Sequence, residues 1–136
     1  MVLQVKSNTA MYNVPRYGDI PNIFFGTASF PTTIIDQTLT ADIADLLGTS
    51  KSGEKNPIVG SWFRIEKGPE STPPTYSYDE VGVVIEGEIN LRDEIGQTVT
   101  VRSGETFFFP RGSTITFSTD SYGLAWKCGG REMAKL

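Results

Sequence analysis

Between Gly60 and Thr119 the chain is written in short β-branched and aromatic runs, each broken within a few residues by turn-forming Gly, Pro, Asn, Asp or Ser. That rhythm is the signature of an antiparallel sandwich or barrel, so the expected fold class is all-β. The candidate strands are Asn22–Ala28, Thr32–Gln37, Gly60–Glu66, Tyr76–Tyr78, Val81–Glu86, Glu88–Arg92, Thr98–Arg102, Thr106–Pro110, Ser113–Ser118 and Tyr122–Lys127. One segment breaks the rhythm. Thr40–Gly48 has a capping Thr, apolar residues at helical spacing and a closing Gly, which predicts one short helix. The polar, turn-rich stretch Thr49–Pro57 then predicts a mobile surface loop close to a barrel mouth.

The 136 residues amount to one domain, with an amino-terminal arm over 1–30 and the core motifs within 60–128. With 38% hydrophobic and 21% charged residues the composition is that of an ordinary soluble protein, and no apolar run approaches the roughly 18 residues that span a bilayer. A net charge of -4 speaks against nucleic acid, whose phosphates require clustered Lys and Arg. The expected partner is a small molecule, with neither nucleic acid nor membrane. Cys128 is the one cysteine, so no internal disulfide forms and a reducing compartment fits. It reads as a packed thiol in the last strand. The amino terminus lacks the pattern of a secretory signal, and the expected location is the cytoplasm. Ala134-Lys135-Leu136 is a conservative variant of the peroxisomal address, which carries meaning in a eukaryotic source alone.

Two blocks hold the functional signal. The first runs from Pro73 to Glu88 and contains Tyr76-Ser77-Tyr78-Asp79-Glu80, with Glu80 seven positions before the turn glycine Gly87. The second runs from Gly104 to Thr119, where five residues separate Gly104 from the Pro110-Arg111-Gly112 turn. Together they resemble the two motifs of the cupin superfamily, and within it the small single-domain cupins related to the ethanolamine-utilisation protein of type Q. The resemblance covers about half the chain and implies a double-stranded β-helix, or jelly-roll barrel. In metal-binding cupins two His and one Glu from the first motif and one His from the second converge on a divalent ion. This chain contains no histidine at all. Glu80 stands where the family has its acidic ligand. Pro74 and Tyr76, or Pro73 and Thr75 if the spacing is one longer, replace the paired His, and Ile115 replaces the later one. A single carboxylate does not supply the affinity or geometry that a transition metal requires, so neither a metal nor another cofactor is expected.

Whatever chemistry occurs must then use side chains that point into the barrel. Alternation along an unbroken strand puts Tyr76, Tyr78, Glu80, Gly82, Val84 and Glu86 on one face. Carboxyls that lose hydration in a cavity exchange protons nearer neutrality, and Glu80 is the candidate acid or base. Tyr76 and Tyr78 are its candidate companions, able to donate to a developing oxyanion or to relay a proton. Trp62, Arg64, Ile115, Phe117, Thr119 and Trp126 are the candidate substrate-binding residues, with the inward face of Gly60–Glu66 left open by the pattern. A competing reading makes Glu80 one half of a structural ion pair with Arg64 or Lys127. Phe107-Phe108-Phe109 is expected to be buried on both faces, or to lie at a subunit contact.

This set suits an isomerase, cyclase or lyase acting on a partly aromatic or carbonyl-bearing small molecule. A second hypothesis is a non-catalytic binding or scaffold cupin, and a third is a magnesium or calcium site of Glu80 with oxygen donors from Tyr76, Tyr78 or Thr119. Family resemblance and the general prevalence of two-fold dimers predict a homodimer, with the arm up to Phe30 offering strand material for a partner.

Overall fold

The computed structural model describes residues 3–25, 47–49 and 53–132. Eight strands run in chain order: β1 (Ile23–Phe25), β2 (Leu47–Gly48), β3 (Val59–Glu66), β4 (Glu80–Arg92), β5 (Thr98–Arg102), β6 (Thr106–Phe109), β7 (Thr116–Ser118) and β8 (Tyr122–Gly129). The predicted helix begins in residues outside the described ones. Its last two positions, Leu47 and Gly48, are extended instead and pair with Gly60 and Val59 of β3. The predicted strand Thr32–Gln37 also lies outside the described residues, as does the tail 133–136. The helical structure that is described is a 3-10 turn at Asn8–Tyr12, capped by the Ser7 side chain, which accepts from the Thr9 amide.

All pairing is antiparallel, in the order β1-β3-β8-β4-β5, with β2 on β3 and both β6 and β7 on β4. Thirteen-residue β4 is the backbone of the barrel. Its first half pairs with β8 and β6, and its second half pairs with β5 and β7. The sequence predicts two strands here, Val81–Glu86 and Glu88–Arg92, because Gly87 reads as a turn. Gly87 instead bends one strand between two sheets. Its φ is 71°, and a Cβ there would collide with the Tyr122 carbonyl.

Just before that bend, Val84 faces Ala125 while Glu86 faces Leu124, so one residue is extra on β4. Such a bulge shifts the phase of alternation. Ahead of it the buried positions are Glu80 and Val84; beyond it they are Ile89 and Leu91. The expectation that Glu86 shares the face of Glu80 therefore fails. Glu86 accepts a hydrogen bond from the Tyr12 hydroxyl at 3.3 Å on the exposed side.

The core is aromatic and β-branched: Phe63, Ile65, Val84, Ile89, Leu91, Phe109, Ile115 and Phe117 are all buried. Phe107 packs partly against this cluster, whereas Phe108 is 56% exposed, so β6 is not buried on both faces. Among the described residues β6 pairs with β4 alone and forms a sheet edge. The amino-terminal segment lies along its own barrel, where β1 pairs with β3, the Phe25 amide donates to the Pro15 carbonyl, and the 3-10 turn contacts β3.

Gly87→Ala imposes a left-handed backbone on a residue with a side chain and drives its Cβ into a carbonyl. The expected result is a loss of about 2 kcal/mol or more of folding stability, read as a lower urea midpoint at unchanged m-value.

Candidate functional site

A cavity of about 530 Å³ opens between β1, β3 and the stretch Ser71–Tyr78, with Phe117, Lys127 and Arg131 on its remaining walls. Two short backbone links fix its rim. The Tyr76 amide donates to the Ser113 carbonyl at 2.9 Å and the Gly112 amide to the Tyr76 carbonyl at 2.8 Å. The Arg111 amide donates to Asp79 Oδ1 at 2.7 Å, so the turn of the second motif holds the first. Tyr76–Tyr78 is thus tied down without joining a strand. Its two rings still point the same way as Glu80, as alternation predicts, and meet edge-on at 5.6 Å.

Beneath these rings lies a buried ion pair. Lys127 Nζ stands 3.5 Å from Glu80 Oε2, and the two side chains are 6% and 3% exposed. The register explains the meeting. Gly82 is opposite Lys127 and Gly129 is opposite Glu80, so the two charged residues are diagonal neighbours, each facing a position without a side chain. At Gly129 a Cβ would press on the Tyr78 ring and on Glu80. Glu80 Oε2 accepts no hydrogen bond among the described residues, so charge attraction holds the contact. Lys127 is further surrounded by aromatic faces, with Nζ 4.3 Å from the Phe25 ring centroid, 4.7 Å from Phe63 and 5.8 Å from Phe117.

Burial pushes the Lys127 ammonium below the ordinary lysine value, with Arg131 adding to that and the charge of Glu80 opposing it. Burial first, and then the charge of Glu80, drive the Tyr76 phenol far above its usual range. Tyr78 moves the same way for the same reasons, with Arg131 pulling back; the guanidinium carbon of Arg131 lies 5.5 Å from the Tyr78 ring centroid.

The structure brings together Glu80, Tyr76, Tyr78 and Phe117, but not the remaining candidates. Glu80 sits behind the cavity wall rather than on it. Trp62, Arg64 and Trp126 project from the opposite face. Phe63 and Ile65 take the inward positions of β3, and Ala125 and Lys127 those of β8. Trp62 and Trp126 pack on each other across the strands at 5.0 Å. Arg64 pairs with Glu66 at 3.1 Å and covers the Tyr122 ring, which removes it as a partner for Glu80. Ile115 is core. Thr119 is buried elsewhere, its hydroxyl donating to the Glu88 carbonyl at 2.7 Å. Lys127, which the sequence offered as an ion-pair partner of Glu80, and Arg131 line the cavity outside the candidate binding set. The signal for Lys127 is a lysine in phase with Gly123, Ala125 and Gly129 along the last strand.

These residues do not fit the metal of the histidine-bearing cupins. Among the described residues no group of three His, Cys, Asp or Glu side chains converges. The cation beside Glu80 is the Lys127 ammonium, and Thr119 is engaged away from it, so of the oxygen donors expected for a magnesium or calcium site only Tyr76 and Tyr78 stand near Glu80.

Residues 36–124 match the family model of ethanolamine utilisation protein EutQ. Acetate kinase EutQ of Escherichia coli is 47% identical over 49 residues, 36% of this chain and 21% of that protein. Its counterpart from Clostridioides difficile is 42% identical over 48 residues, 35% of this chain and 30% of that protein. The matches span between about a fifth and a third of the length of these curated relatives. Among solved structures, the Clostridium difficile EutQ protein superposes with a TM-score of 0.53 at 25% identity, covering 64% of this chain and 61% of that one. The Salmonella typhimurium ethanolamine utilization protein Q gives 0.52 at 24%, covering 62% and 67%. A cupin 2 conserved barrel domain protein from Salinispora arenicola gives 0.50 at 19%, covering 63% and 74%, a likeness of fold alone.

Tyr76 supplies a pH test. Its folded value lies above its unfolded value near 10, so the neutral phenol contributes stability in full below about pH 10 and loses that contribution as pH rises further. Alkaline titration followed by tyrosinate absorbance is expected to show a last step coincident with loss of far-ultraviolet dichroism. Tyr76→Phe removes that step; a Tyr76 that ionises with the exposed phenols contradicts its placement.

Proposed function

Given that the chain belongs to the ethanolamine utilisation protein EutQ family and has the cupin fold, we propose that it is a metal-independent cupin of small-molecule metabolism, acting by acid-base chemistry as an isomerase, cyclase or lyase. The observation that supports this reading is the Glu80–Lys127 pair at the base of the cavity, with the Tyr76 and Tyr78 rings beside it. Tyr76, Tyr78 and Lys127 face the cavity, and Glu80 is their proton reservoir. A neutral phenol donates a hydrogen bond to a developing oxyanion, and a phenol far from its ionisation range stays a donor throughout turnover. The walls offered by Ile23, Phe25, Phe63 and Phe117 favour a ligand with a flat or apolar portion.

The named activity of the relatives, acetate kinase, belongs to proteins several times longer than the matched portion. The bacterial source of these relatives lends no support to the peroxisomal reading of the tail. No helix among the described residues is long and apolar enough to cross a membrane.

Native mass spectrometry of protein from its own host tests this reading first. The expected outcome is a co-purifying organic molecule. Glu80→Gln keeps the shape while removing the exchangeable proton, so turnover of that molecule is expected to fall by about 100-fold or more while its binding persists. Unchanged turnover rejects Glu80 as acid or base. Retained binding without turnover in the native protein favours the non-catalytic scaffold reading.

The homodimer belongs to the same proposal. Val81 and Phe108 face each other across β4 and β6 and are 52% and 56% exposed, next to a depression lined by Val83, Phe107, Trp126 and Cys128. A second copy of the chain against this edge would cover them. Light scattering is expected to give a dimer for the native chain and a monomer for Phe108→Glu; a monomeric native chain rejects the pairing.

A further inference from the structure

Resting on the reading of the cavity as a small-molecule site, we propose that Lys127 is a nucleophilic amine that captures a small aldehyde or ketone as an imine.

Three features of the geometry carry this. Lys127 forms part of the cavity wall although its side chain is 6% exposed, so its amine meets a ligand in the cavity while shielded from bulk water. Glu80, 3.5 Å from Nζ, can take the proton that the ammonium must shed before it attacks. The faces of Phe25, Phe63 and Phe117 around Nζ attract an ammonium, and they attract the iminium cation that replaces it equally well. Burial favours the neutral amine.

The step balances without a further reactant. Glu80 accepts a proton from the ammonium. The free amine then attacks the carbonyl carbon, a carbon–nitrogen bond forms, and the carbonyl π pair moves to oxygen, which takes the surplus proton of the now-cationic nitrogen to give a neutral carbinolamine. The protonated Glu80 returns its proton to that hydroxyl, water leaves, and the nitrogen lone pair forms the iminium. Hydrolysis reverses each step and restores the amine. The iminium withdraws electrons from the adjacent carbon, which is the activation that an isomerase or lyase acting beside a carbonyl requires.

Among the described residues, the ionisable groups that share the cavity with Lys127 or pair with it are few. β4 presents Glu80, the rim stretch presents Tyr76 and Tyr78, the segment before β1 presents Tyr17, and the segment after β8 presents Arg131. β1, β3 and β7 present the rings of Phe25, Phe63 and Phe117, which do not titrate. Glu80 is the negative charge that holds the ammonium. Removing it moves imine formation to lower pH.

The test treats the native protein with benzaldehyde and cyanoborohydride near neutral pH, then locates the benzyl group by peptide mass mapping. Exposed Lys67, outside the cavity, serves as the internal reference. Lys127 is expected to be labelled faster than Lys67, because its side chain lines the cavity beside Glu80 and burial favours its neutral amine. Labelling of Lys127 slower than or equal to that of Lys67 overturns the proposal. Lys127→Met combined with Glu80→Gln, which leaves no lone buried charge, is expected to fold and to lose the fast label, and if it does not fold the site-resolved map of the native chain decides alone. Glu80→Gln is expected to shift the pH profile of labelling downward, and an unmoved profile rejects the role given to Glu80. Benzyl alcohol, which has no carbonyl, separates this inference from the reading beneath it. Ligand-observed NMR that detects its binding, with no trapped imine on benzaldehyde, sinks the imine and leaves the cavity reading standing. No binding of benzyl alcohol and no imine sinks both.

Discussion

Two opposite charges sealed inside an aromatic barrel are expensive, and the layout around the site follows from making Glu80 and Lys127 tolerable there. Each charge needs the other within a few ångströms, because a lone buried ion costs several kcal/mol. Gly82 and Gly129 face the two side chains across the β4–β8 ladder, which leaves room for them to reach one another diagonally. Aromatic faces then supply the remaining attraction that solvent would have given the ammonium. This chain, which contains no histidine, places the Lys127 ammonium beside Glu80 inside the barrel.

The aromatic rings are continuous as well as numerous. From Tyr17 through Phe25, Phe63, Phe117, Phe109 and Tyr76 to Tyr78, each ring lies within about 6 Å of the next. The chain of rings joins elements far apart in sequence, so the amino-terminal strand β1 and the second-motif turn share one wall. Seating of β1 on β3 therefore shapes the cavity directly, through Ile23 and Phe25.

Much of this was legible in the sequence. Short runs and turn residues identified an all-β barrel, and the spacing of Glu80, Gly87, Gly104, Pro110 and Gly112 identified its family. Alternation correctly grouped Tyr76, Tyr78 and Glu80 although Tyr76–Tyr78 joins no strand, because backbone links to the second-motif turn hold that stretch ahead of β4. It failed for Glu86, since a bulge adds one residue that no sequence pattern announces. It also left the faces of β3 and β8 unresolved. Trp62 and Trp126 look like ligand-stacking residues by type, yet their strands turn them outward and reserve the inward phase for Phe63 and Lys127. The sequence offered Arg64 or Lys127 as an ion-pair partner for Glu80, and the pairing register selects Lys127.

The extra residue in β4 also has an evolutionary reading. Strand register normally ties both ends of a strand together, so a one-residue insertion anywhere reverses every side chain. Here the bulge and the bend at Gly87 already absorb such an offset between the half of β4 that carries Glu80 and the half that pairs with β5 and β7. The two halves are phased independently. Exchanges in the β5–β7 half of the barrel can leave the alignment of the Glu80-bearing half in place, so one end of the molecule is free to diverge in sequence without disturbing the other.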